Sequence, residues 1–270
     1  MLASRLPSIL PPLSDEEMIE SAALRSLHQT IDEDSIQVRP FRSPHHSASA
    51  VALVGGGSDP RPGEISLAHH GVLFLDELPE FGRNVLEVLR EPLETGQIHI
   101  SRAARQATFP AQFQLVAAMN PCPCGYLGHV SKPCRCSGEM IARYQGKISG
   151  PLLDRIDLSI NVPSLSQDDL ANQEAGECSA DVKARVVSAR AKQMARQGKI
   201  NARLSVSDLD QVANIHAEAK VCLGQMMTKL SLSARSYHRL LRVARTVADL
   251  DDHTWVTQQH VLKAVSFRRI

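Results

Sequence analysis

Two adjacent carboxylates, Asp76 and Glu77, directly follow the apolar run Val72-Leu73-Phe74-Leu75. Desolvating such a pair is costly unless the carboxylates meet a cation, hydrogen-bond donors or water at the edge of a sheet. In open α/β folds the carboxyl edge of the parallel strands is where ligands bind. The pattern matches a Walker B motif, with Asp76 placed to hold Mg²⁺ through water and Glu77 to orient and polarise a water attacking a γ-phosphate. A strand ending in a solvated acidic turn is the plainer alternative. Asn120 ends a second apolar run, residues 113–119. Its amide is therefore expected on the same sheet edge, in reach of a phosphate or the lytic water, although Asn before Pro121 is also a common turn residue. Arg155, in Leu152-Leu153-Asp154-Arg155-Ile156-Asp157, suits stabilisation of transition-state charge on a neighbouring subunit's γ-phosphate, or equally a surface pair with Asp154 or Asp157.

A second constellation is Cys122-x-Cys124, nine residues, then Cys134-x-Cys136. Four thiolates satisfy tetrahedral Zn²⁺, and Gly125, Gly128 and Pro133 let the intervening loop fold back. Such a site would brace the loop after Asn120 and take no part in catalysis; free thiols and disulfides are the alternatives. The remaining cysteines, Cys178 and Cys222, stand apart. With no export signal in view, the pattern favours a reduced, cytoplasmic protein. His45-His46 and His69-His70 invite a metal reading, but solvated or hydrogen-bonded loop histidines are the simpler account.

These residues need a scaffold. The continuous apolar runs are those of strands buried on both faces of a parallel sheet, and residues 156–162 read as a third strand. Between the first two runs, residues 84–93 have helical spacing and Gly96 as a stop. Strand, helix, strand predicts an α/β fold with a parallel sheet flanked by helices, over about 1–163. A hairpin at about 96–113 carries a basic tip with Arg102 and Arg105. Residues 164–176 read as a linker, and 177–270 as an all-helical domain. There Tyr237, Leu240, Leu241, Ala244 and Ala248 share one helix face, and Arg235, Arg239 and Arg242 form another stripe.

The 30 Lys+Arg against 29 Asp+Glu exclude a polyelectrolyte chain, and 43% hydrophobic residues suffice for a core. No apolar run approaches the ~18 residues of a membrane span, so no membrane partner is expected. Seven basic residues from Lys183 to Arg203 meet no acid along that stretch. They form a solvated helix face, track DNA phosphates or face another subunit. The hairpin tip is the better DNA candidate. At 4% aromatic residues, stacking on bases is not expected, and any grip on DNA would be electrostatic.

Together the Asp76-Glu77 run, the hairpin before Asn120, Leu-Leu-Asp-Arg-Ile-Asp and the late Ser-Ala-Arg-Ser-Tyr-His-Arg resemble the AAA+ ATPases of the magnesium-chelatase-related group, nearest its ComM/YifB competence family. The specific markers are Phe41-Arg42-Ser43-Pro44-His45-His46, Ala118-Met119-Asn120-Pro121-Cys122-Pro123-Cys124-Gly125 and Ser149-Gly150-Pro151-Leu152-Leu153-Asp154-Arg155. The resemblance implies an incomplete AAA+ sheet followed by a helical lid. It makes Asn120 sensor 1, Arg155 the arginine finger, Arg235 sensor 2 and residues 39–70 the helix-2 insert. It also implies ATP with Mg²⁺, a homo-oligomeric ring such as a hexamer, and work on DNA as a helicase in branch migration. Two alternatives stay open: a chelatase-type ATPase driving metal insertion through a partner, and a non-catalytic zinc-braced interaction fragment. The family's Gly-x-x-x-x-Gly-Lys-Ser/Thr P-loop is not in this sequence; Gly146-Lys147 and Gly198-Lys199 are each followed by Ile, and Gly55-Gly56-Gly57-Ser58 has no Lys. The chain is accordingly expected to be the C-terminal portion of a longer protein and to hydrolyse ATP poorly alone.

Overall fold

The computed structural model describes residues 2–28, 33–101, 105–129, 132–163 and 176–268. The chain divides into two units, Met1–Pro7 with Pro12–Arg155, and Ser8–Pro11 with Ile156–Ile270. The expected linker falls almost wholly outside the described residues, as does Arg102.

In the first unit, β1 (Phe41–Arg42), β4 (Val72–Leu75) and β7 (Gln114–Ala117) form a parallel sheet in the order β1-β4-β7. The central strand shows why an unbroken apolar run was needed: Val72, Leu73 and Leu75 are fully buried, Leu73 and Leu75 in a core with Leu53, Ile65, Phe81, Leu86 and Leu89. Within the 39–70 segment, Ser49 caps the helix Ala50–Val54 and a two-residue pairing joins β2 (Gly55–Gly56) to β3 (Arg61–Pro62). Gly55 and Gly56 thus pair in a strand and Gly57 opens the turn, and a Cβ on Gly55 would fall 2.1 Å from the Arg61 carbonyl oxygen.

The expected helix over 84–93 is two helices, Arg83–Glu87 and Arg90–Thr95. Pro92 has no N–H to give the Val88 carbonyl, so the first helix ends and Pro92 sits in the first turn of the next. Gly96, at φ 71°, closes it. The expected hairpin is present as β5 (Gln97–Ser101) and β6 (Gln106–Pro110), antiparallel from Gln97↔Pro110 to Ser101↔Gln106. Ile98 and Ile100 face the core and their neighbours face solvent.

Residues 156–162 are not a strand. Ile160 is 70% exposed, and the backbone bond made there among the described residues is from Ser159 N–H to the Phe267 carbonyl. Alternating Ile156, Leu158, Ile160 and Val162 supply a strand-like face, but a strand also needs a neighbour to complete its ladder.

The second unit packs the helices Ser179–Gln197, Val206–Val212, Ala217–Lys229, Ala234–Leu250 and Gln258–Ser266. Their core contains Leu209, Leu223, Leu240, Leu241, Ala244, Ala248 and Val261, which bears out the apolar stripe read on the fourth helix. At its centre lies a polar hub: Asp249 accepts from Arg196, Asn201 and Arg245.

Candidate functional site

Because β4 and β7 are parallel and paired Leu75↔Ala117, the residues that follow them emerge at one edge. Bonds from Ala118 N–H to Leu75 O and from Leu78 N–H to Ala118 O, both 2.9 Å, tie the two exits together. Asp76, Glu77 and Asn120 all lie there with exposed side chains. Glu77 adopts the left-handed conformation, φ 52° and ψ 45°, and its N–H donates to Asp76 Oδ1 at 2.9 Å. A non-glycine residue held there stores about 1–3 kcal/mol of strain, a feature that clusters at functional sites. His46 Nδ1 lies 3.1 Å from Glu77 Oε2, and its ring packs edge-on to Phe81. The acidic tip is thus open to solvent with one histidine neighbour.

The helix Gly138–Gln145 reaches back to this edge, which sequence reasoning missed. Gln145 Nε2 donates to the Pro121 carbonyl at 2.9 Å, and Lys147 Nζ lies 3.4 Å from Glu80. Between them the buried Tyr144 phenol receives the Asn120 backbone N–H. Burial and then the Glu80 charge push its pKa up, against that bond. Nothing local in Arg143-Tyr144-Gln145 signals the contact.

Arg155 is placed differently from Asn120. Its side chain is 6% exposed, with Nη2 on Glu94 Oε1 at 2.6 Å and Nη1 donating to Pro151 O at 2.6 Å. Neither acid expected from sequence is the partner recorded; Glu94, in the helix Arg90–Thr95, is. Arg235 is exposed in the first turn of the helix Ala234–Leu250 of the other unit. Arg105 is exposed and paired with Asp59.

Four of the seven basic residues from 183 to 203 meet acids outside that stretch: Arg185 with Glu177, Lys192 with Asp252, Arg196 with Asp249 and Lys199 with Asp208. Much of the charge that looked free along the sequence is internally neutralised.

Cys122, Cys124, Cys134 and Cys136 converge, their Sγ atoms all within 4.8 Å of one another. Three Sγ pairs are 3.5, 3.6 and 3.6 Å apart. A tetrahedral ion with Zn–S of about 2.3 Å has sulfur edges of about 3.8 Å, so the donor set fits Zn²⁺ with no fifth position. Leu127 N–H points at Cys122 Sγ and Cys136 N–H at Cys134 Sγ. The N–H groups of Arg135 and then Tyr126 draw Cys124 down to about 6, whereas Cys134, despite the Cys136 N–H, is pushed up to about 12 by burial and the neighbouring thiols, so a cation would be needed to hold all four as thiolates. Gly125 and Gly128, at φ 80° and 78°, make the turns.

His69 and His70 are not solvated loop residues. Both are buried, their ring centroids lie 3.8 Å apart with the planes tilted by 45°, and their Nε2 atoms lie 3.1 and 2.6 Å from Glu20 Oε2. The three could hold a metal by proximity alone. However, Gln112 N–H donates to His69 Nδ1 at 2.9 Å, so neutral His69 carries its proton on Nε2 and donates it to Glu20. The cluster is a hydrogen-bonded clamp.

Among the described residues no helix is long and apolar enough to cross a membrane. Residues 1–170 match the family model "Magnesium chelatase, subunit ChlI" and residues 176–268 match "Magnesium chelatase, subunit ChlI C-terminal". YifB of Escherichia coli is 51% identical over 100% of this chain and 53% of its own length; the competence protein ComM of Haemophilus influenzae is 50% identical over 99% and 53%. A Mycobacterium tuberculosis protein is 42% identical over 100% of this chain and 54% of its own. The chain spans about half the length of the curated relatives it matches. With family models matching over residues 1–170 and 176–268, the chain belongs to the magnesium chelatase ChlI family of AAA+ proteins.

Proposed function

We propose that this chain carries the Walker B, sensor and lid portion of an ATP-hydrolysing ring motor that acts on DNA. The observation that carries the reading is the pair Asp76 and Glu77, exposed and conformationally strained at the edge they share with Asn120. Bound Mg²⁺ would neutralise phosphate charge, and Asp76 is the residue to hold it through water. Glu77 orients and polarises the attacking water, and Asn120 hydrogen-bonds the γ-phosphate or that water. Tyr144 and Gln145 keep the backbone at Asn120 and Pro121 in place, and Cys122, Cys124, Cys134 and Cys136 would hold Zn²⁺, which would brace the loop behind it. Arg155 and Arg235 stabilise phosphate charge, at least one of them across a subunit boundary of a ring such as a hexamer.

The phosphate cradle is the part this sequence lacks, so turnover belongs to a protein in which this chain is joined to a P-loop, and the chain alone is expected to turn over ATP poorly. The DNA assignment draws support from the competence relative; the hairpin tip with Arg102 and Arg105 is the proposed contact, since the basic helix is largely paired internally. Metal insertion through a partner subunit is the second reading, favoured by the family's name. A non-catalytic zinc-braced fragment is the third.

The test is Glu77→Gln in the joined protein. A loss of ATP turnover of at least ~10²-fold with ATP binding kept supports the reading, and turnover equal to the parent overturns it. Forked-DNA binding that weakens steeply with salt separates the DNA reading from ATP-stimulated binding of a porphyrin-bearing partner.

A further inference from the structure

The chain carries 29 Asp and Glu, yet none falls between Glu94 and Glu139. A stretch without carboxylates to repel a polyanion thus lies on both sides of β7 (Gln114–Ala117) along the chain: the hairpin precedes that strand and the cysteine loop, residues 122–136, follows it. The hairpin tip is already part of the DNA reading. The loop has so far been given only a bracing role.

The four sulfurs gather at the centre of that loop, and its other side chains are left outside. Tyr126 and Leu127 are 37% and 39% exposed, between the turns made by Gly125 and Gly128. The His129 ring meets the Tyr126 ring edge-on, with centroids 5.6 Å apart, and Lys132 Nζ lies 5.3 Å from the Tyr126 centroid. Lys132 and Arg135 are both exposed. With Zn²⁺ bound, four thiolates leave a net charge of about −2, which these two cations offset. The loop is therefore free of acid without being strongly basic, and its hold on phosphate alone would be weak. A fixed ring with a cation beside it suits a ligand that is both aromatic and anionic.

We propose that Tyr126, Lys132 and Arg135 form a contact for single-stranded DNA, in which one base stacks on the Tyr126 ring and the flanking phosphates meet Lys132 and Arg135. Every base has a π face, so the contact tolerates any sequence, whereas a duplex keeps its base faces stacked on one another and cannot use it. Aromatic residues are too few for a row of stacking platforms, but a single ring suffices for a single base. The zinc loop holds that ring in place before the strand arrives, which lowers the ordering cost of binding. The proposal rests on the DNA reading and deepens it, adding a contact separate from the hairpin tip.

The experiment follows binding of a fluorescein-labelled oligothymidylate to the full chain by fluorescence anisotropy across a salt series, with zinc content and circular dichroism measured for every variant. Tyr126→Ala is expected to weaken binding about tenfold, as loss of one base–aromatic stack does, and Tyr126→Phe, which keeps the ring, to bind as the parent does. Tyr126→Leu serves if Tyr126→Ala loses zinc or its fold. Lys132→Ala and Arg135→Ala are each expected to weaken binding a few-fold and to lower the slope of log affinity on log salt by about 0.7. Arg185→Ala, on an arginine paired with Glu177, is expected to change nothing. A blunt duplex of the same length should bind the parent and Tyr126→Ala alike. The proposal is overturned if the parent does not bind the single strand or if Tyr126→Ala binds it as the parent does. An equal loss with Tyr126→Phe, with Arg185→Ala or on the duplex overturns it too. Should Arg105→Ala weaken binding where Tyr126→Ala does not, the DNA reading survives at the hairpin and this contact falls. Conversely, turnover unaffected by Glu77→Gln in the joined protein sinks the motor reading and leaves a Tyr126-dependent contact standing.

Discussion

Replacing Asp249 by Ala tests whether the helical unit is organised around its buried charge. Arg245 and Asp249 are 1% and 3% exposed. The carboxylate accepts from Arg245 Nη2 at 2.9 Å, Arg196 Nη1 at 2.6 Å and Asn201 Nδ2 at 2.8 Å. Removing one member of a buried pair leaves the other charge uncompensated, at about 3–5 kcal/mol. Here the lower end applies. Arg245 keeps the Thr254, His253 and Ala213 carbonyls, Asn201 keeps Thr246 Oγ1, and Arg196 can turn to water. The expected loss is about 3 kcal/mol, which for a unit of roughly 100 residues lowers its melting midpoint by at least about 12 °C. Thermal and urea unfolding of the full chain, followed by far-ultraviolet circular dichroism, reads it. The double substitution Arg245→Met with Asp249→Leu should recover stability to within about 1 kcal/mol of the parent, since an apolar pair removes both charges. A loss below about 1 kcal/mol for Asp249→Ala would refute the claim that this hub is desolvated and coupled.

The Glu20 carboxyl is held below its usual range by bonds from His70 and then His69, so its contribution is present above about pH 4.3 and disappears as pH falls through the depressed value. Glu20→Gln should flatten the acid limb of the first unit's stability below about pH 4.3, and an unchanged slope there would discard the clamp. Asp208, drawn to about 2 chiefly by Lys199, has the same sign, with stability lost between about pH 4 and pH 2; Asp208→Asn should remove that increment from acid unfolding of the second unit. Native mass spectrometry should find one zinc per chain, and Cys134→Ser should cut the occupied fraction by at least tenfold; metal-free parent protein, purified without chelator, would end the zinc assignment. Glu94→Gln removes the recorded carboxylate partner of a guanidinium that is 6% exposed, and is expected to cost about 1–3 kcal/mol, reduced because Pro151 O remains and Glu94 is half in solvent. No change in urea midpoint would show that Arg155 leaves this pocket freely.

The parts of the fold legible in the sequence are those whose burial is local in the chain. β4 is seen because a strand covered on both faces is apolar at every position, β7 from its apolar run although it ends the described sheet with Gln114 and Ala117 exposed, and the hairpin because Ile98 and Ile100 alternate with polar neighbours. The helical unit follows from its apolar stripe. The failures have the same origin. Pro92 was in plain view, but its effect depends on which carbonyl it leaves without a donor. The alternation over 156–162 describes a face and not a partner, and the described structure pairs little of that segment.

Site residues divide along the same line. Asp76, Glu77 and Asn120 share one edge as expected, because their positions follow from the strands that precede them and adjacency of parallel strands brings them together without any further choice. The cysteines were found because their spacing is itself the signal. Arg155, Tyr144 and Glu20 owe their roles to partners with no fixed offset: Glu94 upstream of Arg155, Asn120 upstream of Tyr144, and His69 with His70 far downstream of Glu20. In each case a polar group is buried, and burial obliges it to find a partner wherever the fold can bring one. Residue type therefore discloses that a partner exists, while its identity is decided by packing between elements. An arginine read as reaching outward to a neighbour's phosphate is paired within this chain with Glu94, and its proposed role across a subunit boundary would require that 2.6 Å ion pair to open.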